Sequence, residues 1–433
     1  MPTGRLAALA AGGAVAAAAL PWRVPLGALA VTALLVVAAG LDAWAAPAPD
    51  RIGVQRQVPA TVTLGGTEAS VTWRVTNPTR RGLRVAIADE LAPSLGADRR
   101  RAWFRLAPLA TASAATTLRP TRRGRFAPSE IVVRVEGPLG LAARQGRRRQ
   151  PVELRVLPVF PARRDAELRV RQAQLTAGLR TARARGSGTE FEALRDYTAD
   201  DELRRMDWAA TARAGRPIVR TYRAERNQQV VILLDNGRVM AAPVAGAPRV
   251  EHGIDAAMAL TLVATALGDR CGLVTFDREV RAVVPPRGGP AQLGRVTEAL
   301  YDLQPRLVES DYLGAFSATV ARFRRRALLV LLTELTEEAV AETLLPALPL
   351  LLGRHLVVVA SVTDPAVLAW ASETPADGPA VYRAAAALQA VARRQDTVSY
   401  LRSVGATVID AAPGRLAGAL ADVYLDLKAA GRL

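Results

Sequence analysis

Two apolar runs at the amino terminus constrain this chain more than anything that follows them. From Leu6 to Leu20 every residue is Ala, Gly, Leu or Val, and after Pro21-Trp22-Arg23-Val24-Pro25 a second run continues from Leu26 to Leu41. Each approaches the roughly 20 residues that a membrane-spanning helix needs. Pro21 and Pro25 bracket a charged turn, which argues against one continuous helix, so the expected structure over residues 1–45 is a transmembrane hairpin in contact with lipid through residues 6–41. Trp22 and Trp44 fall where interfacial aromatics belong. The rival reading is a cleaved signal peptide with Arg5 as its charged region and Ala43-Trp44-Ala45 as an A-x-A site, but the apolar length is too great for one. Arg5, Arg51 and Arg56 flank one side of the spans and Arg23 the other, which places both termini and the soluble domains in the cytoplasm of a two-helix, multi-pass cell-membrane protein.

The remainder is long enough for several domains, since 433 residues at roughly 150 per domain gives about three. Half the residues are apolar and 22% charged, so the chain folds and buries sizeable cores. Its single cysteine, Cys271, excludes an internal disulfide framework, a four-thiolate zinc site and a cysteine-ligated iron–sulfur cluster, and suits a reducing compartment. Only two histidines occur, His252 opening a predicted helix and His355 preceding an apolar strand. Neither has the context of a nucleophilic triad or a metal-binding helix, so the expectation is a protein that is not an enzyme. The net charge of +17 would suit nucleic acid, yet Lys428 is the only lysine among 57 basic residues and no nucleic-acid-binding signature accompanies the arginines. No nucleic-acid partner is expected.

From Arg56 to about Pro158 the apolar residues alternate: Val58, Ala60, Val62, Leu64; Val71, Trp73, Val75; Leu83, Val85, Ile87; Ile131, Val133, Val135; Val152, Leu154, Val156. Period two with Gly, Asn and Pro breaks predicts a β-sandwich-like domain over 46–160, of about seven strands. Next, 161–188 is arginine-rich at roughly helical spacing, and two readings stay open: a helix lying along the membrane surface or along the next domain, or a solvated helix or linker.

The most informative segment runs from Gly188 to Arg213 and completes a linker-and-signature region over 161–228. It concentrates Glu190, Glu192, Asp196, Asp200, Asp201, Glu202 and Asp207 among Arg195, Arg204, Arg205 and Arg213, with Phe191, Tyr197, Trp208 and Thr211 interleaved. Arginine with carboxylates makes bidentate, charge-assisted pairs, and the three aromatics would anchor that network against a core. The segment, continuing through Arg220, Glu225-Arg226 and Asp235, resembles the DUF58 family of bacterial membrane proteins. Arg122-Arg123-Gly124-Arg125-Phe126, Glu136-Gly137-Pro138-Leu139-Gly140-Leu141 and the N-terminal hairpin carry the same resemblance. It implies a C-terminal domain similar to von Willebrand factor type A, and as partners a MoxR-type AAA+ ATPase and a transglutaminase-like membrane protein.

Residues 229–433 independently read as a doubly wound α/β domain: strands at 229–235, 271–276, 280–284, 327–332, 355–362 and 406–410, with helices at 250–268, 290–303 and 311–323. Asp235 and the Thr333-Glu334 pair then share the carboxyl rim of the sheet. A type A metal site needs D-x-S-x-S there, since a hard cation takes near-octahedral oxygens. This chain has Asp235-Asn236-Gly237-Arg238-Val239, so both serines are missing, the later acid is Glu334, and only Ser310 or Asp311 could supply the loop oxygen. No cofactor and no Mg²⁺ are expected, and Asp235 is expected to be held by an arginine of the signature or by backbone amides. The expected function is a non-enzymatic, membrane-anchored adaptor, with a metal-dependent binding domain at Asp235 and Glu334 as the alternative.

Overall fold

The computed structural model describes residues 1–18, 24–65, 69–183, 190–198, 206–223, 228–337 and 340–433, which divide into two compact units, Met1–Val159 and Phe160–Leu433. Trp22 and Arg23 lie outside the described residues.

In the first unit, helices α1 (Gly4–Ala18) and α2 (Val24–Ala45) take up the two apolar runs. Among the described residues Leu29–Arg51 is the one stretch long and apolar enough to cross a membrane, by length and composition, and Gly4–Val15 is a shorter apolar helix. Leu34, Val36 and Leu41 on α2 are exposed.

Both helices are tied at the same end to one loop. The carboxylate of Asp42, near the end of α2, accepts from the backbone N–H groups of Leu139 (2.7 Å), Leu141 (2.7 Å) and Ala142 (2.9 Å). The hydroxyl of Thr3, just before α1, donates to the carbonyl of Gly140 at 2.6 Å. The Gly137-Pro138-Leu139-Gly140-Leu141 run is therefore an amide nest for a buried acid. A Cβ on Gly137 would come 2.4 Å from the Asp42 carboxylate, and Gly140 has φ +71, so both glycines are required.

The alternating segments form ten strands among the described residues, arranged in three small sheets. Gly53–Gln57, Ala69–Thr76 and Thr111–Leu118 make one; Thr61–Thr63, Leu154–Leu157 and Gly124–Phe126 another; Arg101–Leu106, Leu83–Asp89, Glu130–Glu136 and Ala143–Arg149 the third. The inward residues of the alternation, including Val71, Trp73, Val75, Ile131 and Leu154, share one core. Arg56 also turns inward. Its guanidinium pairs with Asp89, whose other oxygen accepts from the Trp73 indole at 2.6 Å. Counting Arg56 as a charge flanking the membrane is thereby corrected: an arginine paired to a buried acid does not face lipid headgroups.

In the second unit, α3 (Arg163–Arg183) opens the chain. Ala166 and Val170 enter the core of the α/β domain, and Arg169 pairs with Asp422 at 2.6 Å. Of the two readings of the arginine-rich stretch, its first half therefore packs along the α/β domain. Strands β1 (Glu190–Asp196) and β2 (Ile218–Arg223), flanking the short helix α4 (Trp208–Ala214), form a separate antiparallel pair.

The main sheet comprises β3 (Gln229–Asp235), β4 (Arg270–Phe276), β5 (Val280–Arg287), β6 (Leu328–Leu332), β7 (Leu356–Val362) and β8 (Thr407–Ala411), in the order β5-β4-β3-β6-β7-β8. All neighbours are parallel except the edge strand β5, which returns beside β4 through a short turn. Helices α5 (Arg249–Ala266), α6 (Ala291–Leu300) and α9 (Leu416–Ala429) cover one face; α7 (Tyr312–Arg322) and the end of α8 (Gly378–Ser403) cover the other. The sides of β3 divide accordingly, Val230, Ile232 and Leu234 toward the first layer and Val231 and Leu233 toward the second. A strand buried on both faces reads as one unbroken apolar run.

Candidate functional site

From β3 the chain goes one way to β4 and later crosses back to β6. The carboxyl ends of β3 and β6 thus flank the topological switch point, where open α/β sheets place their sites. Asp235 ends β3 there, wholly buried. Its Oδ1 accepts from the Gly237 N–H at 2.8 Å and from the Ser310 hydroxyl at 2.5 Å. Its Oδ2 lies 2.6 Å from the Thr333 hydroxyl and 2.8 Å from the Tyr312 hydroxyl, and those two hydroxyls are themselves 2.8 Å apart.

Each of the two hydroxyls carries one proton, which it can give to Oδ2 or to the other hydroxyl. Burial raises the Asp235 pKa, opposed by the hydrogen bonds from Ser310, Thr333, the Gly237 amide and Tyr312, and the net direction is upward. Burial, with the Asp235 charge second, pushes the Tyr312 phenol well above its ordinary value. The site is therefore a closed cage of polar side chains around a buried acid.

Among the described residues no arginine pairs with Asp235, and Arg204 and Arg205 of the signature lie outside them. Low-dielectric surroundings disfavour a charged acid here, and the nearby arginines go to Glu334, which contacts Arg394 at 2.6 Å, Arg249 at 3.2 Å and the Ser361 hydroxyl at 2.9 Å. Arg394 also grips Asp410 at 2.8 Å. Of the anticipated backbone amides, that of Gly237 does bind. Arg238 points to Glu309 at the surface, 2.6 Å away. Asp311 caps α7 by accepting from Gly314 N–H at 2.8 Å, so of the four metal candidates only Asp235 and Ser310 touch. A Cβ on Gly237 would stand 2.1 Å from the Ser310 oxygen: Ser310 fills the space a residue-237 side chain would need. Among the described residues no three or more His, Cys, Asp or Glu side chains gather as for a metal ion.

In the signature, Asp207 is the N-cap of α4, accepting from Ala210 N–H at 2.9 Å, and Thr211 accepts from Ile218 N–H at 2.9 Å, stitching the helix to β2. Arg195 donates to the Asp196 carbonyl at 3.0 Å, and Tyr197 N–H donates to the Pro217 carbonyl. Glu190, Phe191 and Arg220 sit on the paired strands; Asp200, Asp201, Arg204 and Glu225 lie outside the described residues. Trp208 is 69% exposed, and Arg213, in the last turn of the same helix, is exposed too. The expectation that Trp208 anchors a core is corrected: as the first residue of a capped helix its ring faces outward. His252 contacts the Val244 carbonyl at 3.2 Å, while burial, then the Arg354 charge, lowers the pKa of His355. Burial pushes the Cys271 thiol up to about 12, an unreactive group.

Sequence had offered Asp235, Ser310 and Thr333 but missed Tyr312, whose only signal was its place beside Ser310 at the start of a helix.

Residues 193–396 match the family described as "Protein of unknown function DUF58". Uncharacterized proteins of Mycobacterium bovis and Mycobacterium tuberculosis are 28% identical over 182 residues, 42% of this chain and 56% of theirs, so the chain spans about half the length of these curated relatives. Among solved structures, the SpRpn10 VWA domain has a TM-score of 0.28 at 14% identity, covering 46% of this chain and 95% of that one. The conserved hypothetical protein BatB from Bacteroides thetaiotaomicron has 0.30 at 11%, covering 48% and 99%. At such scores the likenesses carry neither function nor partners, and the α/β class rests on the strand order of this chain itself.

Proposed function

We propose that this chain, whose residues 193–396 match the DUF58 family, is a non-enzymatic, membrane-anchored adaptor. In this reading α1 and α2 span the membrane as a hairpin, the remainder faces the cytoplasm, and the signature docks a MoxR-type AAA+ ATPase, with a transglutaminase-like membrane protein in the same membrane or envelope assembly. The observation that supports it best is Trp208, 69% exposed at the start of a short capped helix that also carries exposed Arg213. Trp and Arg are the side chains that most often dominate protein–protein interfaces.

Crosslinking pull-down from native membranes tests the proposal, comparing the wild type with Trp208→Ala/Arg213→Ala. Neither side chain is buried, so the variant should fold. Capture of an AAA+ ATPase by the wild type, and its loss from the variant, is the expected result. Equal capture by both removes the signature from the interface, and no ATPase with either overturns the partner.

The same reading has the rim working without metal, because both Asp235 oxygens already have partners and Glu334 is committed to two arginines. Calorimetry with Mg²⁺ should show no saturable heat; saturable binding abolished in Asp235→Ala would establish the metal-dependent alternative.

A further inference from the structure

The end of the helix pair that meets the β-rich unit is ringed by arginines. The guanidinium Nη1 atoms of Arg5 and Arg84 both approach the Gly140 Cβ position, at 3.1 and 3.5 Å. Arg134 donates to the Pro2 carbonyl at 3.1 Å, Arg144 to the Ala46 carbonyl at 3.4 Å and Arg148 to the Ile52 carbonyl at 3.2 Å. These bonds to neutral carbonyls fix the positions of the guanidinium groups without neutralising them. Asp42 is buried and held by three amides, and Glu136, just before the loop, forms a long, partly exposed ion pair with Arg84 at 3.8 Å, which leaves the other guanidinium nitrogens of Arg84 to donate elsewhere. At the same level Trp44 is 83% exposed and Leu139 60% exposed. Basic groups interleaved with exposed aromatic and aliphatic side chains, just beyond an apolar helix, have the composition of a membrane interface.

We propose that this collar, centred on Arg5, Arg84 and Arg144, binds the phosphodiester headgroups of anionic lipids, so that Asp42 and the 139–142 loop hold the β-rich unit down on a negatively charged leaflet. The inference rests on the reading that α1 and α2 insert in a bilayer. A phosphate fits because guanidinium groups donate paired hydrogen bonds to its oxygens, and because headgroups lie where a helix emerges from hydrocarbon.

The test uses the full chain. Flotation with phosphatidylcholine vesicles reports insertion alone, and both the wild type and Arg84→Ala/Arg144→Ala should float. The detergent-solubilised chain is then titrated with dihexanoyl phosphatidylglycerol, dihexanoyl phosphatidylcholine or inorganic phosphate while thermal unfolding is followed. Phosphatidylglycerol should stabilise the wild type saturably, phosphatidylcholine and inorganic phosphate should not, and the double variant should need roughly thirtyfold more lipid, at about 1 kcal/mol per arginine. Failure to float overturns the anchor and the collar together. Normal flotation with no preference for phosphatidylglycerol, or an unchanged midpoint in the variant, overturns the collar and leaves the anchor standing. An equal response to inorganic phosphate replaces the lipid site with a free-anion site.

Discussion

Asp235 shows how a residue recognisable in sequence acquires its chemistry from partners that are not. Its place at the end of an apolar strand is legible locally, but Ser310 lies 75 positions on and Thr333 98, and only the sheet brings them together. The upward shift that burial imposes on it leads to a pH prediction. Its folded pKa lies above the ordinary 3.8, so the native state binds more protons than the unfolded chain, and the contribution of Asp235 to stability falls as pH rises from that value through the raised one. Asp235→Asn cannot ionise. Denaturant unfolding at a series of pH values should therefore show the wild type losing ground to Asp235→Asn as pH increases, and a pH-independent difference would refute a raised pKa. Asp235→Ala should cost about 2–4 kcal/mol at low pH, because three buried hydroxyls lose their acceptor, and less as pH rises. Arg56 teaches the reverse lesson: counted from its distance to an apolar run it looks like a membrane flank, whereas its partner Asp89 stands 33 residues away.

Among elements, the Glu136–Leu141 run was recognised as a motif but not understood. Its amides close on the Asp42 carboxylate, which makes the loop and the end of α2 one unit. Gly137→Ala places a methyl against that carboxylate and should destabilise by about 1–3 kcal/mol, read as a lowered melting temperature of the full chain in detergent. Gly12→Ala in α1, with nothing within 4 Å, is the control and should be neutral or slightly stabilising. If both behave alike, the nest does not hold the helix. Period-two alternation correctly placed Val71, Trp73 and Val75 in a core, since side-chain direction follows from backbone geometry alone. It could not say that the strands split into three sheets, because pairing depends on register between distant segments.

For the whole molecule, one β-rich core draws only on residues 52–156, and the cores on the two faces of the main sheet draw only on residues from 160 onward. Residues 160–433 expressed alone should therefore fold with one cooperative thermal transition in circular dichroism. A sloping, non-cooperative melt would show that the second unit depends on the first. The sequence by itself determined the class of each region: apolar length marks the N-terminal helices, period two the β-rich unit, and unbroken apolar runs between helices the α/β domain, all local consequences of backbone geometry and the need to bury apolar surface. It also determined that cysteine- and histidine-based chemistries have almost no residues to work with. Tertiary structure alone decided which carboxylates are caged by hydroxyls, which meet arginines and which are held by amides. Those outcomes depend on contacts between residues tens of positions apart, and on the burial that sets whether an acid keeps its charge.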